Sequence, residues 1–286
     1  MRYLRSLLNV PLTGFIIRVL ILCFSFILVI LILGLVGIPN PGAIGVPIFI
    51  TINVFFSQLI LRFCQIKAES QLTYLRLSIS NVAIKDFLKG VALIFVVGFM
   101  ALLLELLLGW VRFEGFIWQS SSWDVTRMGL ASIFLVVCRQ LTTGWWEELV
   151  FRGYLIQTPI TRSGFVVSAA ISSLLFGVLH YILPPSIPFE IIPIYVAIGF
   201  LLAYCYNKIG LWYTIGIHFA WNTFPSSVFG LINPETSIIK LSHNFPSWTS
   251  VSGTFIDPWL LLFLFTLGIF SIRSKSNCLA TPDCTV

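Results

Sequence analysis

In the stretch WWEELVFRGYL, Trp145 to Leu155, two adjacent glutamates and an arginine stand in a chain where charge is scarce. On a helix Glu148 and Arg152, four residues apart, share a face and can pair. Glu147 points about 100° away around the same helix and has no partner in its own turn. A carboxylate held in that way suits a general base. Two later stretches repeat the four-residue spacing: FGVLH, with Phe176 and His180, and HFAWN, with His218 and Asn222. One inward-facing cluster could hold both histidines, the asparagine, the two glutamates and the arginine. Two histidines and a glutamate also match a catalytic zinc site with one open position, although the H-E-x-x-H spacing is missing and the three side chains come from separate segments.

The elements that must carry these residues follow from composition. Only 10% of the 286 residues are charged, against about 25% in soluble domains, and 58% are hydrophobic. Such a chain is an integral membrane protein, and a crossing helix needs about 20 apolar residues. Candidate spans fall at about 15–36, 43–61, 87–109, 128–150, 165–183, 190–206, 210–231 and 257–272. The expected fold is therefore all-α, a polytopic membrane helix bundle of about eight transmembrane helices. The first apolar run is too long for a signal peptide and is expected to be retained as a span. With the N-terminus in the cytoplasm, Arg2, Arg5, Arg62, Lys67, Arg76, Lys85, Lys89, Arg152, Arg162, Lys208, Arg273 and Lys275 fall inside, and only Arg112, Arg127 and Lys240 outside. That bias places both termini in the cytoplasm. The net charge of +6 then belongs to basic loops beside the bilayer, and no basic run with interleaved aromatics suggests nucleic acid. The six cysteines form no C-x-x-C pair, which argues against a zinc ribbon or redox motif. Cys284 is third from the end, one place off a prenylation signal.

Carboxylates at membrane depth are costly and mark function by default. Each feature also has a plainer role. A Glu–Arg pair can tie a bundle together, a membrane histidine can hydrogen-bond a neighbouring helix, and Phe176, Trp145 and Trp146 can simply pack. Arg139 could line the cavity or pair with Glu105. The joint pattern decides. E-E-x-x-x-R in EELVFR, F-x-x-x-H in FGVLH and H-x-x-x-N in HFAWN follow in order along successive spans. Over roughly residues 130–225 the chain resembles the CAAX protease and bacteriocin-processing enzyme family, which includes CAAX prenyl protease 2 and lysostaphin resistance protein A-like proteins.

The resemblance implies an intramembrane endopeptidase of the glutamate type, needing no cofactor, with zinc as the alternative. It implies that Glu147 activates water, that His180 orients it, and that His218 and Asn222 donate to the oxyanion. Glu148 and Arg152, with Phe176, would support them. The implied partner is a membrane-embedded or prenylated peptide or protein within the lipid bilayer, and the expected location is the cell membrane. Residues 1–127 are expected to form the N-terminal helices, 128–225 the core, and 226–286 an outside loop, a last span and a cytoplasmic tail. Two rival functions use the same residues: a non-catalytic immunity or scaffold protein, and a transporter or proton relay. The relay predicts inverted repeats, and the sequence has none. For Glu147 and His180 to meet, either the fifth span must tilt or protrude, or the fourth must run past Tyr154. The second is expected.

Overall fold

The computed structural model describes residues 16–25, 50–57, 79–116, 123–156, 162–182, 189–231, 237–244 and 257–271, and single positions 13, 28, 48, 59 and 77. The basic positions Arg2, Arg5, Arg62, Lys67, Arg76, Arg273 and Lys275, parts of the first two expected spans, and Cys64, Cys278 and Cys284 lie outside them.

The fold is mostly helical. Helices α1 (Ile16–Ser25) and α2 (50–57) are followed by α3 (Asn81–Leu107), α4 (Trp123–Glu148), α5 (Arg162–Ile182), α6 (Ile192–Lys208), α7 (Leu211–Trp221) and α8 (Asp257–Ser271). Each expected span overlaps one of them, the first two over the part that is described. Among the described residues two helices, Asn81–Leu107 and Gly164–Ile182, are long and apolar enough to cross a membrane.

Helix α3 shows why its ends fall where they do. The Ser80 hydroxyl accepts from the Ala83 N–H at 3.2 Å and starts the helix. At the other end Gly109, at φ +69°, lets Trp110 N–H reach the Glu105 carbonyl and Gly109 N–H the Leu106 carbonyl, the paired bonds of a glycine-terminated helix. Gly90, Ile94, Val97, Ala101 and Glu105 form its buried stripe, while Leu88, Phe95, Val96, Phe99 and Met100 are exposed. A helix that is apolar on both faces is solvated by lipid.

Helix α7 sits at the centre of the bundle, and glycines let its neighbours reach it. A Cβ at Gly216 would overlap the Phe87 backbone carbonyl, and one at Gly90 would overlap that of Tyr213. At Gly144 of α4 a Cβ would lie 3.0 Å from Phe219 N. Lipid gives no hydrophobic drive to helix association, so close backbone packing at small residues supplies it. Replacement of Gly216 by alanine is expected to push α3 from α7 and cost about 1–3 kcal/mol, read as a lower unfolding midpoint in detergent.

The first two helices are held by polar contacts. Ser25 Oγ donates to the Asn53 side-chain oxygen, and Asn53 Nδ2–H to the Leu22 carbonyl at 3.3 Å. Tyr154 donates to the Arg18 carbonyl at 3.2 Å and Trp145 Nε1–H to Thr51 Oγ1 at 3.0 Å, so both helices are tied to α4 and its continuation.

The all-α class holds, with one short two-stranded sheet beside the helices. Val111–Phe116 (β1) pairs antiparallel with Ile239–His243 (β2), with Val111 opposite His243, Phe116 opposite Ile239, and a bulge between Phe113 and Gly115. Val111 and Leu241 pack into the apolar core. Two segments that read as loops satisfy each other's backbone groups, which lipid or a dry interface could not do.

Candidate active site

Helix α4 does not stop at Glu148. It continues as a π-helical segment, Leu149–Tyr154, marked by the Leu155 N–H bonded to the Val150 carbonyl at 3.0 Å. Helix α7 continues in the same way through Asn222–Val228, where Pro225 has no N–H to extend the α-helical ladder. Ser227 Oγ donates to the Asn222 carbonyl at 3.2 Å, satisfying one acceptor of that turn. Wide turns of this kind recur at functional sites. Here one follows each of two motif helices, directly after Glu147 and Glu148 and at Asn222.

The structure brings Glu147, Glu148, Arg152, Phe176, His180 and His218 together. Glu148, fully buried, is the hub: its Oε1 accepts from Arg152 Nη1–H at 2.7 Å and from His218 Nδ1–H at 2.8 Å. The expected Glu148–Arg152 pair is thus present, and it extends to a second helix, α7. The Arg152 guanidinium lies 4.6 Å from the centre of the Phe176 ring, a cation–π contact, and its Nη2 is 3.4 Å from the Gly199 carbonyl. Phe176 also meets Phe151 edge-on, with ring centroids 5.2 Å apart. Its spacing before His180 has a physical reason, because the Phe176 carbonyl accepts from His180 Nδ1–H at 2.7 Å.

Glu147 faces both histidines. Its Oε2 is 3.8 Å from His180 Nε2 and 3.6 Å from His218 Nε2. Both separations exceed a direct hydrogen bond. Oε2 is buried and has no hydrogen-bond partner among the described residues. The proton positions follow from the partners. A carbonyl can only accept, so the His180 proton is on Nδ1, and in the neutral ring Nε2 offers a lone pair toward Glu147. The carboxylate of Glu148 likewise takes the Nδ1 proton of His218, so a proton on His218 Nε2 makes that ring a cation, balanced by Glu148.

Asn222 stands one turn after His218, half-buried. No hydrogen bond links its carboxamide to Glu147 or the histidines among the described residues. Arg139 is exposed. Among the described residues no group of three or more His, Cys, Asp or Glu side chains is placed to hold a metal ion.

The meeting of α4 and α5 is reached differently from expectation. Helical geometry runs beyond 150 but ends at Tyr154. Ser172 Oγ donates to the Phe151 carbonyl at 2.8 Å, so α5 runs antiparallel to the π segment with His180 level with Glu147. Among the described residues the helical run of α4 ends at Tyr154.

Sequence reasoning missed Tyr195. It lies on α6, which carries no motif, and its ring centroid is 4.5 Å from that of His180. Its only signal was a polar-tipped residue in the otherwise apolar run IPIYVAIGF.

Neither a curated protein nor a solved structure matches the chain. A family model does: residues 129–224 match that of the type II CAAX prenyl endopeptidases, Rce1-like. The matched segment contains every side chain of the cluster, so the part of the chain that carries the site is similar to the Rce1-like type II CAAX prenyl endopeptidases.

Proposed function

We propose that this chain is an intramembrane endopeptidase in which Glu147 activates the hydrolytic water, acting on a lipidated or membrane-associated peptide without a metal. The observation that carries the reading is the position of Glu147 Oε2, unpartnered and 3.8 and 3.6 Å from two imidazole Nε2 atoms. A water beside these atoms can give one proton to Glu147 and direct another at the His180 lone pair. That leaves its oxygen free to attack a carbonyl carbon. As the tetrahedral intermediate forms, negative charge gathers on the former carbonyl oxygen. His218 Nε2–H, from the ring charged by its bond to Glu148, and the Asn222 amide are the donors available to that oxygen. Removing one donor of this kind typically costs about 10²–10³-fold in rate. Collapse breaks the C–N bond, and the proton held by Glu147 passes to the leaving amine. Glu148 and Arg152 support the site by fixing His218 and the helix turn.

The membrane arrangement proposed with it is eight spans with both termini in the cytoplasm, a core at 128–225 flanked by 1–127 and 226–286, and residence in the cell membrane. The pairing of β1 with β2 supports it, because the two segments that this topology puts outside must lie on one side to pair. The scaffold reading explains a Glu148–Arg152–His218 network but gives no reason for an unpartnered carboxylate oxygen between two histidines.

The test is incubation of the purified chain, in detergent, with farnesylated and unmodified C-terminal peptides, with cut sites read by mass spectrometry. Cleavage that survives a strong chelator is expected. Loss of cleavage on chelation, restored by zinc, would replace water activation by Glu147 alone with metal chemistry. A folded chain that cuts none of the peptides would favour the scaffold.

A further inference from the structure

His180 is the most exposed member of the cluster, with 26% of its side chain accessible against 9% for Glu147 and 7% for His218. It also sits near the end of its helix, two residues before Ile182. A ring in that place turns easily about its χ2 bond. A flip would carry Nε2 away from Glu147 and put Cε1 in its place. One hydrogen bond, from Nδ1–H to the Phe176 carbonyl, opposes that motion. The rest of the restraint is aromatic. Phe176 and Tyr195 both pack on the imidazole, with centroids at 4.4 Å and 4.5 Å and interplanar angles of 54° and 39°. The two aromatic rings are themselves 6.3 Å apart.

Tyr195 reaches His180 because α5 and α6 approach closely. A Cβ at Gly177, one turn before His180, would stand 2.6 Å from Val196 Cγ2, beside Tyr195. At Gly199, one turn after Tyr195, a Cβ would stand 2.9 Å from that of Ser173. A larger residue at either place would lift α6 and its tyrosine off the imidazole.

We propose that Tyr195 is a positioning residue for His180: its ring, with that of Phe176, clamps the imidazole so that Nε2 stays aimed at Glu147. It acts through His180 and takes no part in the bond changes. The proposal rests on the water-activating role given to Glu147 above, and it assigns α6 a part in the site that no motif records. The ring is the working part, so phenylalanine should serve as well as tyrosine.

The experiment compares the full-length wild type with Tyr195→Phe, Tyr195→Ala and Tyr195→Leu in detergent micelles, each checked for a single monodisperse species. Leucine keeps most of the buried volume without a flat ring, and it decides the matter if alanine does not fold. The first readout is the ¹⁵N spectrum of labelled histidine, which is simple because the chain has three histidines; His180→Gln assigns the signal. Wild type and Tyr195→Phe should show one fixed tautomer with the proton on Nδ1, and the alanine or leucine variant an averaged one. The second is cleavage of a farnesylated peptide. Tyr195→Phe should stay within about threefold of wild type in kcat. The alanine or leucine variant should lose about 10- to 100-fold in kcat with little change in KM, since small displacements of a catalytic group cost up to about 100-fold. A fixed tautomer and undiminished kcat without the ring would overturn the proposal. So would a Tyr195→Phe variant as slow as Tyr195→Ala, which would make the hydroxyl the working group. If even wild type cleaves nothing, the endopeptidase reading fails and the spectrum alone still decides the clamp.

Discussion

Exchange of Glu147 for glutamine is expected to lower kcat by about 10²–10⁴-fold, the usual contribution of a general base, in a protein that still folds. Glutamine has the shape of glutamate but cannot take a proton from water. The fold should survive because the oxygen that faces the histidines makes no hydrogen bond that the structure depends on. Glu148→Gln should behave differently. Its Oε1 accepts from both Arg152 and His218, so its loss should lower stability as well as rate. Two neighbouring glutamates of the same chemistry are thus predicted to separate, one into catalysis and one into structure plus catalysis. Steady-state cleavage rates read beside unfolding midpoints for the two variants check this. Equal stability losses would mean that Glu147 is part of the scaffold.

The largest stability effect should come from Arg152→Ala. Arg152 and Glu148 are 1% and 0% exposed, and removing one partner of a buried ion pair costs about 3–5 kcal/mol; without Arg152, Glu148 would keep only the His218 ring as its partner. The alanine also empties the space over Phe176, where the guanidinium now lies 4.6 Å from the ring centre. Arg152→Lys should recover only part of the loss. An ammonium can face Glu148, but it lacks the flat fork that binds Glu148 on one side and points at the Gly199 carbonyl on the other. Denaturant unfolding in detergent, followed by tryptophan fluorescence, orders the three proteins. A wild-type midpoint for Arg152→Ala would remove the ion pair from the account.

The residues of the cluster were legible in the sequence because lipid makes them rare. Six polar or charged groups at four-residue spacings, set in runs of Leu, Ile, Val and Phe, have few reasons to be there. Helix positions were legible for the same cause, since long apolar runs leave the backbone no other way to satisfy its polar groups. What was hidden is non-local. Val111–Phe116 reads as a short polar-apolar loop, and nothing nearby announces its partner more than a hundred residues on. The π turn after Glu148 has no proline to mark it, whereas Pro225 marks the one at Asn222. The relative depth of α4 and α5 cannot be had from their lengths. It depends on which side chains meet, and Ser172 against Phe151 sets it. Tyr195 was missed because its role comes from the closeness of α6 at Gly177, not from any spacing along α6 itself.

The central claim is that side chains from separate helices act as one unit on one peptide bond. A double-mutant cycle on kcat with Glu147→Gln, His180→Ala and the double variant tests it most directly. Groups that serve one step are strongly non-additive, so the double variant is predicted to be no slower than the slower single variant, within about threefold. If instead the two losses multiply, or if His180→Ala cleaves at the wild-type rate, the two residues do not share a water and the account is wrong.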